Sequence, residues 1–178
     1  MVSGTDALSI LYGELSVVSA HSIIIRPAHP EDVDSAIQIF VQAIRKTASA
    51  DYSREQVDAW AQADRQLWAR RWRGCLTWLA TANGKPAGFA ELKPQGHIHM
   101  IFIHPSFART GVASALLGRI DETAVEQQLA TLSTDASITA RPFFARHEFR
   151  VVARQEVLCR GQRLTNFRME KFIGTQSG

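Results

Sequence analysis

The chain has 178 residues and a net charge of +3, and 46% of its residues are hydrophobic. These values exclude an intrinsically disordered chain, which needs lower hydrophobicity and a larger charge imbalance, and the length suits a single domain. A charge this small suits an anionic small molecule at least as well as a polyanion. No nucleic-acid recognition motif occurs, so we expect no nucleic-acid partner.

Cysteine content and hydropathy indicate the compartment. The two cysteines, Cys75 and Cys159, are too few for a disulfide framework, and no C-x-x-C pair is present to hold a metal ion. No apolar run approaches the ~20 residues that span a bilayer. Residues 1–22 lack the basic and apolar regions of a secretory signal. We therefore expect a cytoplasmic protein with no metal and no membrane partner, built of an N-terminal extension (residues 1–22), one domain (23–173) and a tail (174–178).

The first half of the predicted domain contains one strand and three helices. Ile23–Arg26 is a β-branched run closed by a proline, which predicts a strand. Apolar residues at helical spacing predict a helix over Glu31–Lys46. Ser53 and Gln56 have the S-x-x-Q spacing of a capping box and predict the start of a second helix, and a third is expected over Asp64–Trp72.

The second half contains mostly strands. Three strand-like runs separated by tight turns predict an antiparallel meander: Leu76–Thr81, Pro86–Leu92 and His97–Ile103. The elements expected after them are a helix that contains Val112 and Leu116, a strand at Leu129–Ser133 parallel to its neighbour, a helix at Arg141–Arg146, and a strand pair at Phe149–Cys159 and Arg163–Phe172. This order predicts one mixed α/β domain. A terminal strand pair at the sheet edge would support a homodimer.

The loop after the strand His97–Ile103 carries the strongest functional signal. Residues 108–113 read A-R-T-G-V-A at the start of a predicted helix. Amides in the first turn of a helix have no internal partners and lie at the positive end of its dipole, and small residues such as Gly111, Ala113 and Ser114 let a bulky anion approach them. The pattern favours a pyrophosphate site, although an ordinary strand-turn-helix explains the spacing alone equally well.

This loop and the residues after it resemble the Gcn5-related N-acetyltransferase (GNAT) superfamily, in which a strand is followed by Q/R-x-x-G-x-G/A at a helix start. Gly111 and Ala113 match that pattern. Ala108 departs from it, because the family has Gln or Arg there, and Arg109 stands where many members carry Gly. Residues 137–149, S-I-T-A-R-P-F-F-A-R-H-E-F, look like the family's A-x-x-F-Y-x-x-x-G-F segment. The resemblance covers residues 23–172. It implies a GNAT-like α/β fold with a central, mostly antiparallel sheet flanked by helices.

The resemblance also implies an activity and a donor site. The enzyme would move an acetyl group from acetyl-coenzyme A to a primary amine of a small molecule or peptide by direct attack in a ternary complex. A backbone amide at Ile101 or Ile103 on the splayed strand would stabilise the oxyanion. The residues expected to contact the coenzyme are Ile101, Phe102, Ile103, Arg109, Thr110, Gly111, Val112, Ala113, Ser114, Ser137, Phe143 and Phe144.

Such a reaction needs a base, because an alkylammonium has a pKa of about 10.4. Family members often carry Glu where this chain has His97, and His99 lies on the same strand face by alternation. An imidazole pKa of about 6.5 suits this role, so both histidines are candidates. The alternative is an ordinary, partly satisfied histidine at each position. Glu91 is the reserve base, with a solvated surface charge as its favoured interpretation.

The proton donor is the main departure from the family, since many members carry Tyr where this chain has Phe144. Solvent can protonate the thiolate, because the conjugate thiol has a pKa of about 8.5. Tyr52 is the other candidate acid, although a place in the substrate pocket suits it better and a tyrosine at the edge of the core explains it equally well. Phe144 and the variant loop also support a second hypothesis, a non-catalytic acyl-coenzyme A sensor or interaction module. Of the four tryptophans, Trp60, Trp68, Trp72 and Trp78, Trp68 and Trp72 are four residues apart and are expected to pack. The arginines near them, Arg65, Arg70, Arg71 and Arg73, are expected to form a solvated face.

Overall fold

The computed structural model describes residues 22–174, so all but one residue of each predicted terminal segment lies outside the described residues. The strands are β1 (Ile23–Pro27), β2 (Leu76–Ala82), β3 (Lys85–Leu92), β4 (His97–Ile103), β5 (Thr131–Ser137), β6 (Arg150–Cys159) and β7 (Gln162–Phe172). The α-helices are α1 (Val33–Lys46), α2 (Arg54–Trp60), α3 (Arg65–Trp72), α4 (Val112–Glu126) and α5 (Arg141–Arg146).

A seven-stranded sheet with the order β1-β2-β3-β4-β5-β7-β6 organises these elements. Its neighbouring strands are antiparallel except for β4 and β5, which run parallel. The helices α1 to α3 pack on one face, and α4 and α5 pack on the other. The predicted mixed α/β fold, with a mostly antiparallel sheet flanked by helices, is confirmed, as is the meander of β2, β3 and β4.

The parallel pair of β4 and β5 is short, and the two strands diverge after it. Their ladder comprises His97 opposite Ser133 and Ile98 opposite Thr134. The hydroxyl of Thr134 donates to the carbonyl of Ile98 at 3.1 Å and closes this contact. Beyond it the ends of the two strands separate, which opens a cleft in the middle of the sheet.

A bulge in β4 changes which residues face each side of the sheet. Ile98 pairs with Leu92 and Met100 pairs with Glu91, so His99 is an extra residue in β4. As a result the isoleucines of β4 face the core beneath α4, while its methionine and phenylalanine face α1. The bulge stands at the point where β4 separates from β5, and it gives His99 a place at the cleft.

The predicted start of α1 is wrong by two residues. Pro30–Asp32 form a 3-10 turn, and the α-helix begins at Val33. The carboxylate of Asp32 accepts hydrogen bonds from the guanidinium of Arg26 at 2.7 and 2.8 Å and from the amide of His29 at 2.7 Å. These bonds tie the turn to β1, so Asp32 does not cap α1.

The fifth strand was predicted to begin at Leu129, but it begins two residues later, at Thr131. Gln128 has a left-handed φ of 55°, and the amide of Leu129 donates to the carbonyl of Ala124 at 2.9 Å. These residues form the C-terminal cap of α4. The strand therefore starts later, and it continues to Ser137.

Strand β6 forms one edge of the sheet, which is the arrangement that the predicted homodimer requires. Its side chains Val152 and Leu158 are 59% and 75% exposed. The dimer stays a prediction. Within residues 22–174, the helices are too short or too polar to cross a membrane. The cytoplasmic location likewise stays a prediction.

The prediction that Glu91 is a solvated surface charge is wrong. Its side chain on β3 is 0% exposed, and it accepts two hydrogen bonds of 2.8 Å from the guanidinium of Arg71 and one of 2.8 Å from the indole of Trp72. Arg71 also lies over the ring of Trp68 at 4.5 Å. Arg71 therefore does not belong to a solvated face: it fastens α3 to the sheet.

We expect Arg71→Met to lower the free energy of unfolding by about 3 kcal/mol, because it leaves the buried Glu91 carboxylate without its cation. Methionine keeps most of the aliphatic stem, so the lost packing is small. Urea denaturation measures the change. Arg70→Met, at an exposed position on the same helix, is the matched control and should stay within about 0.5 kcal/mol of the wild type. Equal stability of the two variants would contradict the role of the pair.

Candidate active site

A cavity of about 640 Å³ occupies the cleft between β4 and β5. One part of it, the α4 arm, is bounded by the loop at residues 107–111, the start of α4, and α5. The opposite part, the α1 arm, is lined by Phe40, Ala43, Thr47, Ala48, Tyr52, Trp60, Val157, Cys159, Leu164, Thr165 and Asn166. The ends of β4 and β5 lie between the two arms, so two ligands could meet there.

Most of the residues singled out from the sequence line this cavity. They are Tyr52, His99, Ile101, Phe102, Ile103, Arg109, Gly111, Ala113, Ser114, Ser137, Phe143 and Phe144. Three others lie next to it. The ring of His97 is 6.4 Å from that of His99, the hydroxyl of Thr110 donates to the carbonyl of Phe107 at 2.7 Å, and the side chain of Val112 is buried in the core.

The loop before α4 leaves the amides of the first helical turn without helical acceptors. Gly111 caps the helix, and the first helical bond runs from the amide of Ala115 to the carbonyl of Gly111 at 2.9 Å. The amides of Val112, Ala113 and Ser114 come before Ala115 in the chain and therefore have no acceptor within the helix. Together with the positive end of the helix dipole, they can bind an anion in the α4 arm.

Two residues of this loop have left-handed backbone conformations, with φ of 62° at Arg109 and 91° at Gly111. Glycine adopts this conformation without strain, whereas other residues rarely do. Arg109 departs from the family pattern in residue type but adopts the backbone conformation that a glycine would supply. The loop therefore keeps its turn and adds a guanidinium at the mouth of the α4 arm.

The free edge of β4 presents backbone amides to the cleft. The amide of His104 donates to the carbonyl of Ala87 at 2.8 Å, on the β3 side. Hydrogen-bonding directions alternate along an antiparallel pair, so the amide of Phe102 also faces β3. The amides of Ile101 and Ile103 face the opposite way, toward the gap left by β5. Either can donate to an oxygen in the cleft.

The two histidines of β4 are partly buried, and both are neutral at neutral pH. Burial, and then the charge of Lys93, lowers the pKa of His99 below 6.5. Burial also lowers the pKa of His97, against the opposing effect of Asp135. The Nδ1 atom of His97 lies 3.0 Å from the hydroxyl of Ser133, and its Nε2 atom lies 3.7 Å from a carboxylate oxygen of Asp135. His99 lines the cavity and can accept a proton there.

Asp135 is an acidic residue of the cavity that sequence reasoning missed. Burial raises its pKa, but hydrogen bonds from Arg168 at 2.7 Å and from Gln155 at 2.9 Å outweigh that effect and bring the pKa below its ordinary value. Asp135 is therefore ionised and already paired. A single Asp in a polar strand gives no sequence signal for this position.

Tyr52 ties the α1 arm to the sheet. Its hydroxyl donates to the carbonyl of Thr165 at 2.6 Å and accepts from the amide of Ile138 at 2.9 Å. Burial raises its pKa above the ordinary value, and its ring meets that of Trp60 edge to face at 5.4 Å. These two hydrogen bonds connect β7 to Ile138, the residue that follows β5.

Phe144, at the position where many GNAT members have Tyr, is buried and packs edge to face against Phe143 and Phe149. It offers no proton to the cavity. Ser137, at the end of β5, accepts a hydrogen bond from the amide of Ala140 at 3.0 Å. Its own O–H is left to donate elsewhere. In the described part of the chain, His, Cys, Asp and Glu side chains do not gather in the groups of three that would hold a metal ion.

Comparison with known proteins decides the family. The model of the acetyltransferase (GNAT) domain matches residues 48–171, which contain the loop, β4, β5 and α5. The chain belongs to the GNAT acetyltransferase family. It is accordingly an N-acetyltransferase that uses acetyl-coenzyme A, and the predictions of family and enzyme class are confirmed.

Relatives of this GNAT chain agree over most of its length. The uncharacterized N-acetyltransferase YafP of Escherichia coli is 41% identical over 149 residues, which cover 84% of this chain and 95% of YafP. A Gcn5-related N-acetyltransferase from Rhodopseudomonas palustris is 36% identical, with a TM-score of 0.82 over 90% of this chain and 99% of that one. The PaiA N-acetyltransferase from Thermoplasma acidophilum, solved with coenzyme A, shares the fold at 19% identity, with a TM-score of 0.67 over 85% of this chain and 99% of that one.

The resemblance to GNAT proteins indicates an acceptor pocket built from residues 46–62 and the final hairpin, and the residues that line the α1 arm lie in those segments or, as Phe40 and Ala43, in α1. Trp60 and Cys159 line the arm, although no role in acceptor binding was predicted for either side chain. Trp68 is buried, as the packing interpretation requires. The arm joins residues more than 100 positions apart, such as the pair of Tyr52 and Thr165, and no local pattern marks such pairs.

Proposed function

We propose that this GNAT enzyme binds acetyl-coenzyme A in the α4 arm and an amine in the α1 arm, and transfers the acetyl group directly between them. The observation that carries the proposal is that one cavity joins the first-turn amides of α4, the cleft-facing edge of β4 and the neutral His99. The acceptor is a primary amine of a small molecule or peptide.

The donor site is built from backbone and charge. The amides of Val112, Ala113 and Ser114 would hold the pyrophosphate, and Arg109 and Arg146 at the mouth of the α4 arm would add positive charge. The pantetheine chain would run along β4, with Phe143 and Phe144 as an apolar wall. Coenzyme A bound to the PaiA protein, which shares this fold, supports the assignment.

The reaction follows from this placement. The amine nitrogen attacks the thioester carbonyl carbon, and the oxygen that becomes negative is stabilised by the amide of Ile101 or Ile103. The acceptor nitrogen loses two protons in all. His99 takes one from the alkylammonium before the attack and can pass it through a bridging water to His97, whose ring lies 6.4 Å away with Asp135 behind it. The nitrogen loses the second proton after the attack, and this proton balances the one that the leaving thiolate takes up. The carbon–sulfur bond then breaks.

The leaving thiolate needs no tyrosine. Its conjugate thiol has a pKa of about 8.5, so water can protonate it. Ser137, whose O–H is not used by its bond with Ala140, can donate a hydrogen bond to the sulfur meanwhile. Tyr52 is assigned to the wall of the acceptor site, since both sides of its hydroxyl are already bonded to the backbone.

A thiol-release assay with a panel of primary amines tests the proposal, alongside calorimetric titration of acetyl-coenzyme A. We expect saturable binding of the coenzyme and amine-dependent release of free coenzyme A with a matching acetylated amine. Tight binding with no release over the whole panel would contradict the proposal and would favour the acyl-coenzyme A sensor.

Two substitutions of Arg109 distinguish the effect of its charge on coenzyme binding from the effect of its left-handed backbone conformation on stability. Arg109→Ala and Arg109→Gly both remove the guanidinium, so each should weaken acetyl-coenzyme A binding by roughly threefold to tenfold. Glycine suits the left-handed conformation, so the glycine variant should be more stable than the alanine variant by about 1 kcal/mol. Calorimetry and urea denaturation measure the two effects. Wild-type affinity in both variants would remove Arg109 from the phosphate site.

A further inference from the structure

The chemistry of the α1 arm identifies a substrate class. We infer that the acceptor is a hydrophobic primary amine that carries no second charge; the inference rests on the proposed function. None of the described residues that line the α1 arm is Asp, Glu, Lys, Arg or His. The charged groups of the cavity lie instead on the α4 arm, as Arg109 and Arg146, or on β5, as Asp135.

The polar groups of the α1 arm are largely occupied by the protein itself. The hydroxyl of Tyr52 is bonded to two backbone groups, and that of Thr165 donates to a carboxylate on β6 at 2.6 Å. The side-chain carbonyl of Asn166 accepts from an amide on β6 at 3.1 Å, and the thiol of Cys159 donates to a carbonyl in α2 at 3.6 Å. A polar substrate body would therefore lose hydrogen bonds to water and regain few of them here.

An aromatic cluster with fixed geometry forms the wall of the arm together with Phe102, which adjoins the arm from the end of β4. Phe102 meets Phe40 edge to face at 5.0 Å and Trp60 at 6.2 Å, and Trp60 meets Tyr52 at 5.4 Å. Phe40 is buried, whereas Trp60 and Phe102 are only half-buried, so the unfilled surface of these two rings belongs to the cavity. An alkyl or aryl group placed here completes their burial.

A second positive charge on the acceptor would meet no carboxylate in the described lining of the α1 arm; Glu156 on β6 lies outside the lining and accepts the hydrogen bond of the Thr165 hydroxyl at 2.6 Å. Among the residues that the structure describes, Asp135 is the acidic residue that lines the cavity. Its carboxylate accepts hydrogen bonds from Arg168 at 2.7 Å and from Gln155 at 2.9 Å. An ammonium that entered the α1 arm would give up its hydration without an ion pair in return. Polyamines and other diamines are therefore rejected, while an apolar chain of the same length is accepted.

Hexylamine and cadaverine form a matched pair of acceptors, because they have the same length and differ in a terminal methyl or ammonium group. We expect kcat/KM from thiol release to be at least about 100-fold higher for hexylamine. Shortening hexylamine to butylamine should lower kcat/KM by roughly fourfold for each methylene removed. Equal rates for hexylamine and cadaverine, or a preference for cadaverine, would overturn this inference alone. Absence of turnover with every amine, despite coenzyme binding, would overturn the proposed function and the inference with it.

A charged substitution in the α1 arm tests whether this arm determines the preference for hexylamine over cadaverine. Val157 lines the arm on the edge strand β6 and is 38% exposed, so Val157→Asp adds a carboxylate there at little risk to folding. It should narrow the preference for hexylamine over cadaverine by at least about tenfold. Val151, 44% exposed on the same strand and outside the cavity lining, gives the control Val151→Asp, which should keep the wild-type preference. An unchanged preference in a folded Val157→Asp variant would overturn the assignment of the acceptor to this arm.

Discussion

Replacing His99 with glutamine is expected to lower kcat/KM for an amine acceptor by roughly 10²- to 10⁴-fold at neutral pH, the range typical of a lost general base. Glutamine fills similar space on the bulge of β4 and can still form hydrogen bonds, so the main loss is the proton acceptor. Steady-state thiol release measures the change, and calorimetry should find acetyl-coenzyme A bound as in the wild type.

The pH dependence distinguishes a base from a structural residue. Burial lowers the pKa of His99 below 6.5, so wild-type activity should rise as pH increases through that lowered pKa, where the imidazole becomes able to accept a proton. The variant should lack this rise. Its deficit should shrink as pH approaches the pKa of the amine, because more of the acceptor then arrives deprotonated.

His97→Gln is the matched control on the same strand. His97 lies outside the cavity lining, and its ring is 6.4 Å from that of His99, so its loss should slow proton removal without abolishing it. The His97 variant should therefore retain more activity than the His99 variant. A constant ratio of variant to wild type across pH for His99→Gln would contradict its role as the base.

Replacing Gly111 with glutamate is expected to weaken acetyl-coenzyme A binding by more than about 100-fold, because it places a carboxylate where the phosphates would bind. A Cβ at this position meets only Ile23 Cδ1 at 3.7 Å, so there is space for a side chain. The φ of 91° still imposes strain on any residue but glycine. Titration calorimetry measures the affinity.

Gly111→Gln is the matched control, since it has the same bulk and the same backbone strain without the charge. Its affinity should fall between those of the wild type and the glutamate variant. The difference between the two variants isolates the charge. Circular dichroism establishes that both are folded. Wild-type affinity in a folded glutamate variant would place the phosphates away from this loop.

Elements with strong local signals could be predicted from the sequence. The capping box of Ser53 and Gln56 forms as expected, and the hairpin dipeptide Asn83-Gly84 joins β2 to β3 with left-handed φ values at both residues. The glycine at 111 caps α4 with the positive φ that its place in the motif requires. In each case the residues that determine the structure are close together in the chain.

Features that depend on distant residues could not be predicted in this way. Glu91 looks like a surface charge on a strand until Arg71, twenty positions earlier, is folded against it. The bulge at His99 depends on pairing with β3, and the α1 arm depends on contacts such as that between Tyr52 and Thr165. Family resemblance indicated the residues expected to bind the coenzyme and the segments expected to form the acceptor pocket, but it could not name the side chains that line the α1 arm.

A crystal structure with bound acetyl-coenzyme A is the most direct test of the central claim, that the cleft between β4 and β5 is the donor site. We expect pyrophosphate oxygens within hydrogen-bonding distance of the amides of Val112, Ala113 and Ser114. The thioester carbonyl should lie against the amide of Ile101 or Ile103, with its carbon open to the α1 arm. A coenzyme bound elsewhere, or a closed ladder between β4 and β5 with no room for pantetheine, would contradict the account.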